Sequence, residues 1–262
     1  RARDYQNIET WARRLKDSPA FQTEESQRRL DTLILTAVFA TGEQLAQRGE
    51  HEDAATAYLR AAREFPRDDR APQAYFNAGL EYQAAGNLGG ASSAYDQLIQ
   101  THPGTEIGAR GAWNGAQMYE SIAQFSDAAR FYESYAESFP NGTQAEDALY
   151  NATLLRVTAG DSGPAVQNGE RFLERFGRSD DATEVTFLIA QAHANAENWN
   201  EAAQVYQRFI RRTRDSNRQI EAHTRMAEAL TRGGDTSGAS NALNQAVRLA
   251  RRRRNQLNET GL

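Results

Sequence analysis

An alanine recurs at Ala54, Ala91, Ala128, Ala165, Ala202 and Ala239, each 37 residues after the one before. Five residues ahead of these stand Gly49, Gly86, Ala123, Gly160, Glu197 and Gly234, and four behind them stand Tyr58, Tyr95, Tyr132, Gly169, Tyr206 and Leu243. The register holds further out. Twelve residues ahead are Gly42, Gly79, Ala116, Thr153, Ala190 and Ala227, and twelve behind are Pro66, Pro103, Pro140, Gly177, Arg214 and Arg251. A fixed period of this size predicts a solenoid, in which one supersecondary unit is stacked many times over.

The residues inside one unit predict what is stacked. From Ala74 to Pro103 the small and apolar positions are Tyr75, Ala78, Gly79 and Tyr82, then, after Gly86-Asn87, Ala91, Ala94, Tyr95, Leu98 and Ile99. That three-and-four spacing describes two successive amphipathic helices. Small residues at the 79 and 91 positions let two antiparallel backbones approach closely, and the tyrosine fills the remaining gap. Gly49, Gly86, Gly160 and Gly234 mark the turn between the helices. The second helix ends at proline in the first three units, where a ring without an N–H stops the ladder. Thr143 with Glu146, Ser216 with Gln219 and, more loosely, Asp181 with Glu184 predict capping boxes at first helices.

The order small residue, Tyr, turn Gly, Ala, Tyr, Pro resembles the tetratricopeptide repeat, from Leu35 to Gln256. The period of 37 rather than about 34, with Phe65-Pro66 and Phe139-Pro140 followed by a longer connector, is similar to envelope helical-repeat proteins of Gram-negative bacteria. The outer-membrane barrel-assembly lipoprotein and the periplasmic Tol-Pal-associated coordinator typify that group. The resemblance implies an all-α, right-handed superhelix of antiparallel helix pairs. Its six repeats run 35–71, 72–108, 109–145, 146–182, 183–219 and 220–256. The fourth departs, with Gly169 for Tyr and Ser162-Gly163-Pro164 at its inner turn, and the fifth lacks the turn glycine. Both are expected to pack less regularly.

Outside the six repeats, residues 1–34 read as part of a preceding repeat joined to an extended connector helix, and 257–262 as a continuation. Asp4 to Ser18 forms one helix on this reading, with Trp11 buried against a long helix spanning Thr23 to Arg48.

Composition narrows the function. A formal charge of −5 argues against nonspecific binding to nucleic acid or anionic lipid. The absence of cysteine excludes disulfides, a thiol nucleophile and, within this stretch, a lipid-attachment cysteine. No apolar run approaches the roughly 18 residues of a membrane span. Lys16 is the only lysine among 30 basic residues, an arginine bias associated with GC-rich bacterial genomes.

The titratable residues already have places in the repeat. His193 takes the slot of Tyr82 and Tyr119, His102 that of Phe65 and Phe139, His51 that of Leu88 and Phe125, and His223 that of Tyr75. No Glu-x-x-His or His-Glu-x-x-His shares a helix face, so neither catalytic residues, a metal nor a cofactor is expected. Gly86-Asn87-Leu88-Gly89-Gly90 lacks the strand and the Gly-Lys-Ser/Thr ending of a phosphate loop and reads as a helix turn. The arginines 251–254 read as a solvated helix face or partner contact.

What remains is a surface. Phe39, Phe76, Trp113, Tyr150 and Phe187 lie 37 apart, and the next slot holds Asn77, Asn114 and Asn151. The tetratricopeptide resemblance implies that both rows face a concave groove, where asparagine amides hold an extended peptide backbone through paired donors and acceptors. The alternative is repeat consensus, with aromatics packing on the next unit and amides bonding within the solenoid. The sequence therefore predicts a non-catalytic scaffold for a protein or peptide partner, without nucleic acid or a membrane span. A lipid anchor or further repeats would lie beyond this stretch. The resemblance implies the bacterial periplasm or outer-membrane periphery, with the cytoplasm as alternative. Competing functions are an architectural spacer or the regulatory arm of an enzyme.

Overall fold

The structure, a computed structural model, describes residues 4–260, with side chains as far as Arg254. Among these residues the only regular structure is helical. Helix α1 (Tyr5–Lys16) and a 3₁₀ turn (Pro19–Phe21) precede α2 (Glu24–Gln47) and α3 (His51–Glu64). There follow α4 (Ala71–Ala84), α5 (Leu88–Thr101), α6 (Glu106–Ser121), α7 (Phe125–Ser138) and α8 (Ala145–Ala159). The remaining helices are α9 (Ser162–Phe176), α10 (Ala182–Asn195), α11 (Trp199–Arg212), α12 (Ser216–Arg232) and α13 (Thr236–Thr260). The chain forms two compact units that divide after Met118, within α6. Of the continuation expected at 257–262, the last two residues lie outside the described ones.

The local chemistry explains the helix ends. Gly49, Gly86, Gly160 and Gly234 adopt φ of +78°, +75°, +83° and +87°, the left-handed conformation that closes a helix at low cost for glycine. Ala123 and Glu197 take the same conformation, φ +57° and +60°, although each carries a Cβ. The turn is thus imposed by the packing of the helices it joins, even where glycine is missing. At the other end of the unit, Phe65, His102 and Phe139 leave the helix with φ between −121° and −131°, as residues before proline do.

The capping boxes expected from sequence do not form. Helix α8 starts after Gln144, because a turn from Phe139 O to Gly142 N (2.9 Å) and from Gly142 O to Ala145 N (3.0 Å) carries the chain past Thr143. At α12 the cap is Asp215, whose Oδ1 accepts from Asn217 N (2.8 Å), and Gln219 donates instead to Thr213 O (3.0 Å). A carboxylate at the positive end of the helix dipole outcompetes the Ser216 hydroxyl. Asp181 precedes α10 but makes no side-chain cap bond. Caps form at Thr23, Asn87 and Asp235, which reach the N–H groups of Ser26, Gly90 and Gly238.

In the first unit, α1 packs on α2, α2 on α3, α3 on α4 and α4 on α5. Ala54 and Ala91 are fully buried, and the rings of Tyr58 and Tyr95 lie against the glycines of the preceding helix. A Cβ on Gly42 would come within 2.8 Å of Tyr58 Cζ, and one on Gly79 within 2.3 Å of Tyr95 Cε1. Trp11, expected inside, is 62% exposed, while Ala12 is buried. Alanine permits the close approach of α1, and the inward polar contacts fall to Glu9 and Arg13. Glu9 Oε1 accepts from Arg13 Nε (2.9 Å) and Glu9 Oε2 from Arg60 Nη2 (2.9 Å), while Arg13 also forks onto Glu64. Trp11 is left under the Arg14 guanidinium, 5.4 Å from its ring.

In the second unit, α7 packs on α8, and each helix from α8 to α13 packs on the next. The irregular fourth repeat is rebuilt around its missing tyrosine. Gly169 faces Ile189, whose Cγ1 lies 2.5 Å from where a Cβ would stand, with Thr153 Cγ2 at 3.4 Å. A polar knot holds the same region. Arg156 forks onto Glu133 (2.8 and 2.8 Å) and reaches Asp161 (2.8 Å), buried Asn168 donates to Glu133 (2.7 Å), and Ser126 donates to Asp161 (2.7 Å). The Ser126 hydrogen bond, then Arg156, holds the Asp161 carboxyl below its usual range. Pro164 sits in the first turn of α9, where its missing N–H breaks no bond.

Candidate functional site

Every candidate residue lies on the first helix of a repeat: Phe39 on α2, Phe76 and Asn77 on α4, Trp113 and Asn114 on α6, Tyr150 and Asn151 on α8, Phe187 on α10. Their surroundings differ. Phe76 and Phe187 are each 2% exposed. Phe76 tilts on Tyr95 with centroids 6.1 Å apart under the Arg110 guanidinium, and Phe187 contacts Tyr206 (5.4 Å) and Phe209 (5.0 Å) under Arg218. The expectation that all five aromatics form an open row is therefore corrected at these two, whose rings are consumed by the tyrosine of their own repeat and a covering arginine. Phe39, Trp113 and Tyr150 are half-buried. Phe39 still meets Tyr58 edge-on at 5.5 Å, and Tyr150 meets Phe172 at 6.5 Å.

The asparagines have a structural task. The amide of Asn77 donates to the phenol oxygen of Tyr58, that of Asn114 to Tyr95, and that of Asn151 to Tyr132, each tyrosine standing 19 residues earlier in the chain. Two of the phenols pass the bond on, Tyr95 to Gln83 Oε1 (2.5 Å) and Tyr132 to Glu120 Oε2 (3.1 Å). Burial pushes the Tyr58 hydroxyl up to about 12 and those of Tyr95 and Tyr132 higher, so all three stay protonated at neutral pH. Asn77 Oδ1 also accepts from Gln73 (2.6 Å). The amides remain half-buried, and a carboxamide that gives one N–H keeps a second N–H and its carbonyl for other contacts.

The internal correlation was available in the sequence. Tyr58 with Asn77, Tyr95 with Asn114 and Tyr132 with Asn151 occur together, and at the fourth repeat both are lost, as Gly169 and Leu188.

The histidines occupy packing positions. His51 Nδ1 lies 2.7 Å from Glu81 Oε2, and His102 contacts Thr101 Oγ1 (2.8 Å) and tilts on Tyr75. His193 and His223 enclose their Nδ1 atoms within the helix packing. Among the described residues no three His, Cys, Asp or Glu side chains are grouped to hold a metal, and no helix is long and apolar enough to cross a membrane.

Sequence reasoning missed a cavity of about 400 Å³ in the second unit, lined among others by Gln191, Asn195, Trp199, Tyr206, Arg225 and Glu228. The signal was the replacement of the asparagine slot by Arg225 beside an intact tyrosine, Tyr206.

Helix pairs repeated every 37 residues, with tyrosines seated on small residues and left-handed turns between helices, define a tetratricopeptide-type helical-repeat protein. The chain belongs to the YfiO outer membrane lipoprotein family, whose model matches residues 109–252. No curated protein matches it. Among solved structures it is similar to the MamA protein, at 13% identity and a TM-score of 0.48, over 72% of this chain and 96% of that one. It is similar also to YrrB, described as a TPR protein with an unusual peptide-binding site, at 17% identity and a TM-score of 0.46, over 79% and 100%. A tetratricopeptide repeat protein from Parabacteroides merdae matches at 17% identity and a TM-score of 0.38, over 81% and 78%.

Proposed function

We propose that the chain is a non-catalytic scaffold that holds a polypeptide partner along the first-helix faces of its repeats, as part of an assembly at the bacterial cell envelope. Membership of an outer membrane lipoprotein family supports the envelope setting. The observation that carries the binding site is on α6, where half-exposed Trp113 adjoins half-exposed Asn114. An aromatic ring supplies apolar area at small entropic cost, and the amide has hydrogen-bonding capacity beyond the bond it gives Tyr95. Within the first unit Phe39 and Asn77 carry the same chemistry, and within the second unit Tyr150 and Asn151 repeat it on their own helix. Phe76 and Phe187 contribute from beneath, by fixing the helices that carry it.

The test is calorimetry with envelope proteins that co-purify with the chain. Trp113→Ala is expected to weaken binding by about 2 kcal/mol, in the range of an aromatic hot spot, with an unchanged thermal midpoint. Asn114→Ala also removes the partner of Tyr95 and must be read against its own stability loss. Unchanged affinity in folded Trp113→Ala protein would remove α6 from the binding surface.

A further inference from the structure

The tyrosine of the fifth repeat has lost both partners that Tyr95 and Tyr132 keep. Tyr95 receives a bond from Asn114 and gives one to Gln83, and Tyr132 receives from Asn151 and gives to Glu120. The matching positions around Tyr206 are Arg225 and Ala194. Tyr206 is 2% exposed, yet among the described residues no side chain bonds its hydroxyl, which opens on the 400 Å³ cavity. The ring is buried but the hydroxyl is open to the cavity, so a ligand there can complete the bond that Asn114 and Asn151 complete at the other tyrosines.

The cavity walls describe the complement. Burial pushes the Tyr206 hydroxyl up to about 12, so it is a hydrogen-bond donor at neutral pH. Arg225 is the charge that acts most strongly on Tyr206, and both line the cavity, so each can donate to an acceptor placed there. Glu228 lies on the same helix, its Oε2 3.9 Å from Arg225 Nη1, a loose pair in which both members stay half open to solvent. The carboxylate opposes an anionic ligand and supplies an acceptor for an N–H. Gln191 and Asn195 add carboxamides, and Trp199 supplies an aromatic wall. A neutral group with a carbonyl on one side and an N–H on the other matches this pair of charges. The volume lies within the roughly 300–1,000 Å³ of ligand sites.

We infer that the cavity between α10, α11 and α12 is a binding site for a backbone amide carrying an aromatic side chain, its carbonyl on Tyr206 and Arg225, its N–H toward Glu228, and its ring against Trp199. The site is separate from the residues placed on α2, α4, α6 and α8, and stands whether or not those bind a partner.

The probe is N-acetyl-phenylalaninamide, followed by the indole N–H resonances of the three tryptophans of the intact chain. The expected result is a saturable shift of the Trp199 signal in the millimolar range or tighter, in keeping with the size of the ligand, with Trp11 and Trp113 unmoved. Tyr206→Phe keeps the buried ring and removes the hydroxyl, and is expected to weaken binding about fivefold or more, the worth of one hydrogen bond. The double variant Ala194→Gln with Arg225→Asn restores both partners found at Tyr95. It is expected to abolish the shift while holding or raising the thermal midpoint. The inference is overturned if the native Trp199 signal shows no saturable change, or if the change persists unaltered in both variants. Should Tyr206→Phe lower the midpoint too far for titration, the double variant decides alone.

Discussion

The ring of Tyr95 lies on the backbone of Gly79 so closely that a methyl group there would stand 2.3 Å from Cε1. The tyrosine is buried on every side and hydrogen-bonded at its hydroxyl, so it has nowhere to retreat. Gly79→Ala is therefore expected to destabilise the chain by about 1–3 kcal/mol, as overpacking does. Gly89→Ala, whose Cβ meets nothing nearer than 4.0 Å, is expected to be neutral or slightly stabilising. Urea midpoints of the two variants measured side by side check the contrast.

Two turns hold a left-handed conformation with a side chain attached. Ala123→Gly and Glu197→Gly are each expected to stabilise by roughly 0.5–1 kcal/mol, since the strain of a Cβ at positive φ outweighs the freedom that glycine brings to the unfolded chain. Gly86→Ala should have the opposite sign. Differential scanning calorimetry gives all three, and a loss of stability in both glycine variants would contradict the strain argument.

These turns also show what the sequence made legible. The 37-residue period, the helix pairs and the turn positions follow from local chemistry repeated in register, and even Ala123 and Glu197 obey the register against their own preference. The helix caps were less legible. Thr143 and Ser216 lost to neighbours because competing turns and a nearby carboxylate decide such starts within one residue. The asparagine row was legible in position but not in its bonding. Spacing placed Asn77, Asn114 and Asn151 on one slot, whereas their bonds to tyrosines 19 residues earlier arise only when one repeat packs on the next. Trp11 failed for a related reason. Its helix faces inward through Ala12 and the Glu9–Arg13 pair, which takes its meaning from Glu64 and Arg60, about fifty residues away.

The tyrosine row predicts alkaline instability. The hydroxyls of Tyr58 and Tyr206 are raised from their ordinary value near 10 to about 12, because burial opposes the phenolate. Stability from such a group is fully present below pH 10 and is lost as pH rises through 12. The chain is thus expected to weaken steeply between pH 10 and 12, with phenolate absorbance appearing together with loss of helical circular dichroism. Tyr206→Phe should make that fall shallower, and an unchanged slope would argue that Tyr206 ionises without hindrance.

The polar knot of the fourth repeat carries a further expectation. Arg156 is its only cation, with 15% of its side chain exposed, and removing it leaves Glu133 and Asp161 facing one another. Arg156→Leu should cost about 2–4 kcal/mol, most of it the penalty of uncompensated carboxylates. Arg156→Lys should recover only part, since one ammonium cannot fork onto Glu133 while reaching Asp161. Because Asp161 is held below its usual range, its contribution is present above about pH 4 and disappears as pH falls further. Thermal midpoints of native and Arg156→Leu protein should accordingly converge in acid.

The exchange at Gly169 has a consequence for how such a chain can change by inheritance. Ile189 occupies the space of an absent aromatic ring contributed from the preceding repeat, with Thr153 alongside. A duplication or deletion that brought the fifth repeat behind any tyrosine-bearing one would drive Ile189 into that ring, and the fourth followed by a typical repeat would leave a hole. Repeats four and five are therefore a single heritable block. Although every repeat shares one period, the order of these two is set by shape, and an exchange between repeats keeps the phenol bond only where, as at Tyr58, Tyr95 and Tyr132, the tyrosine and its asparagine travel together.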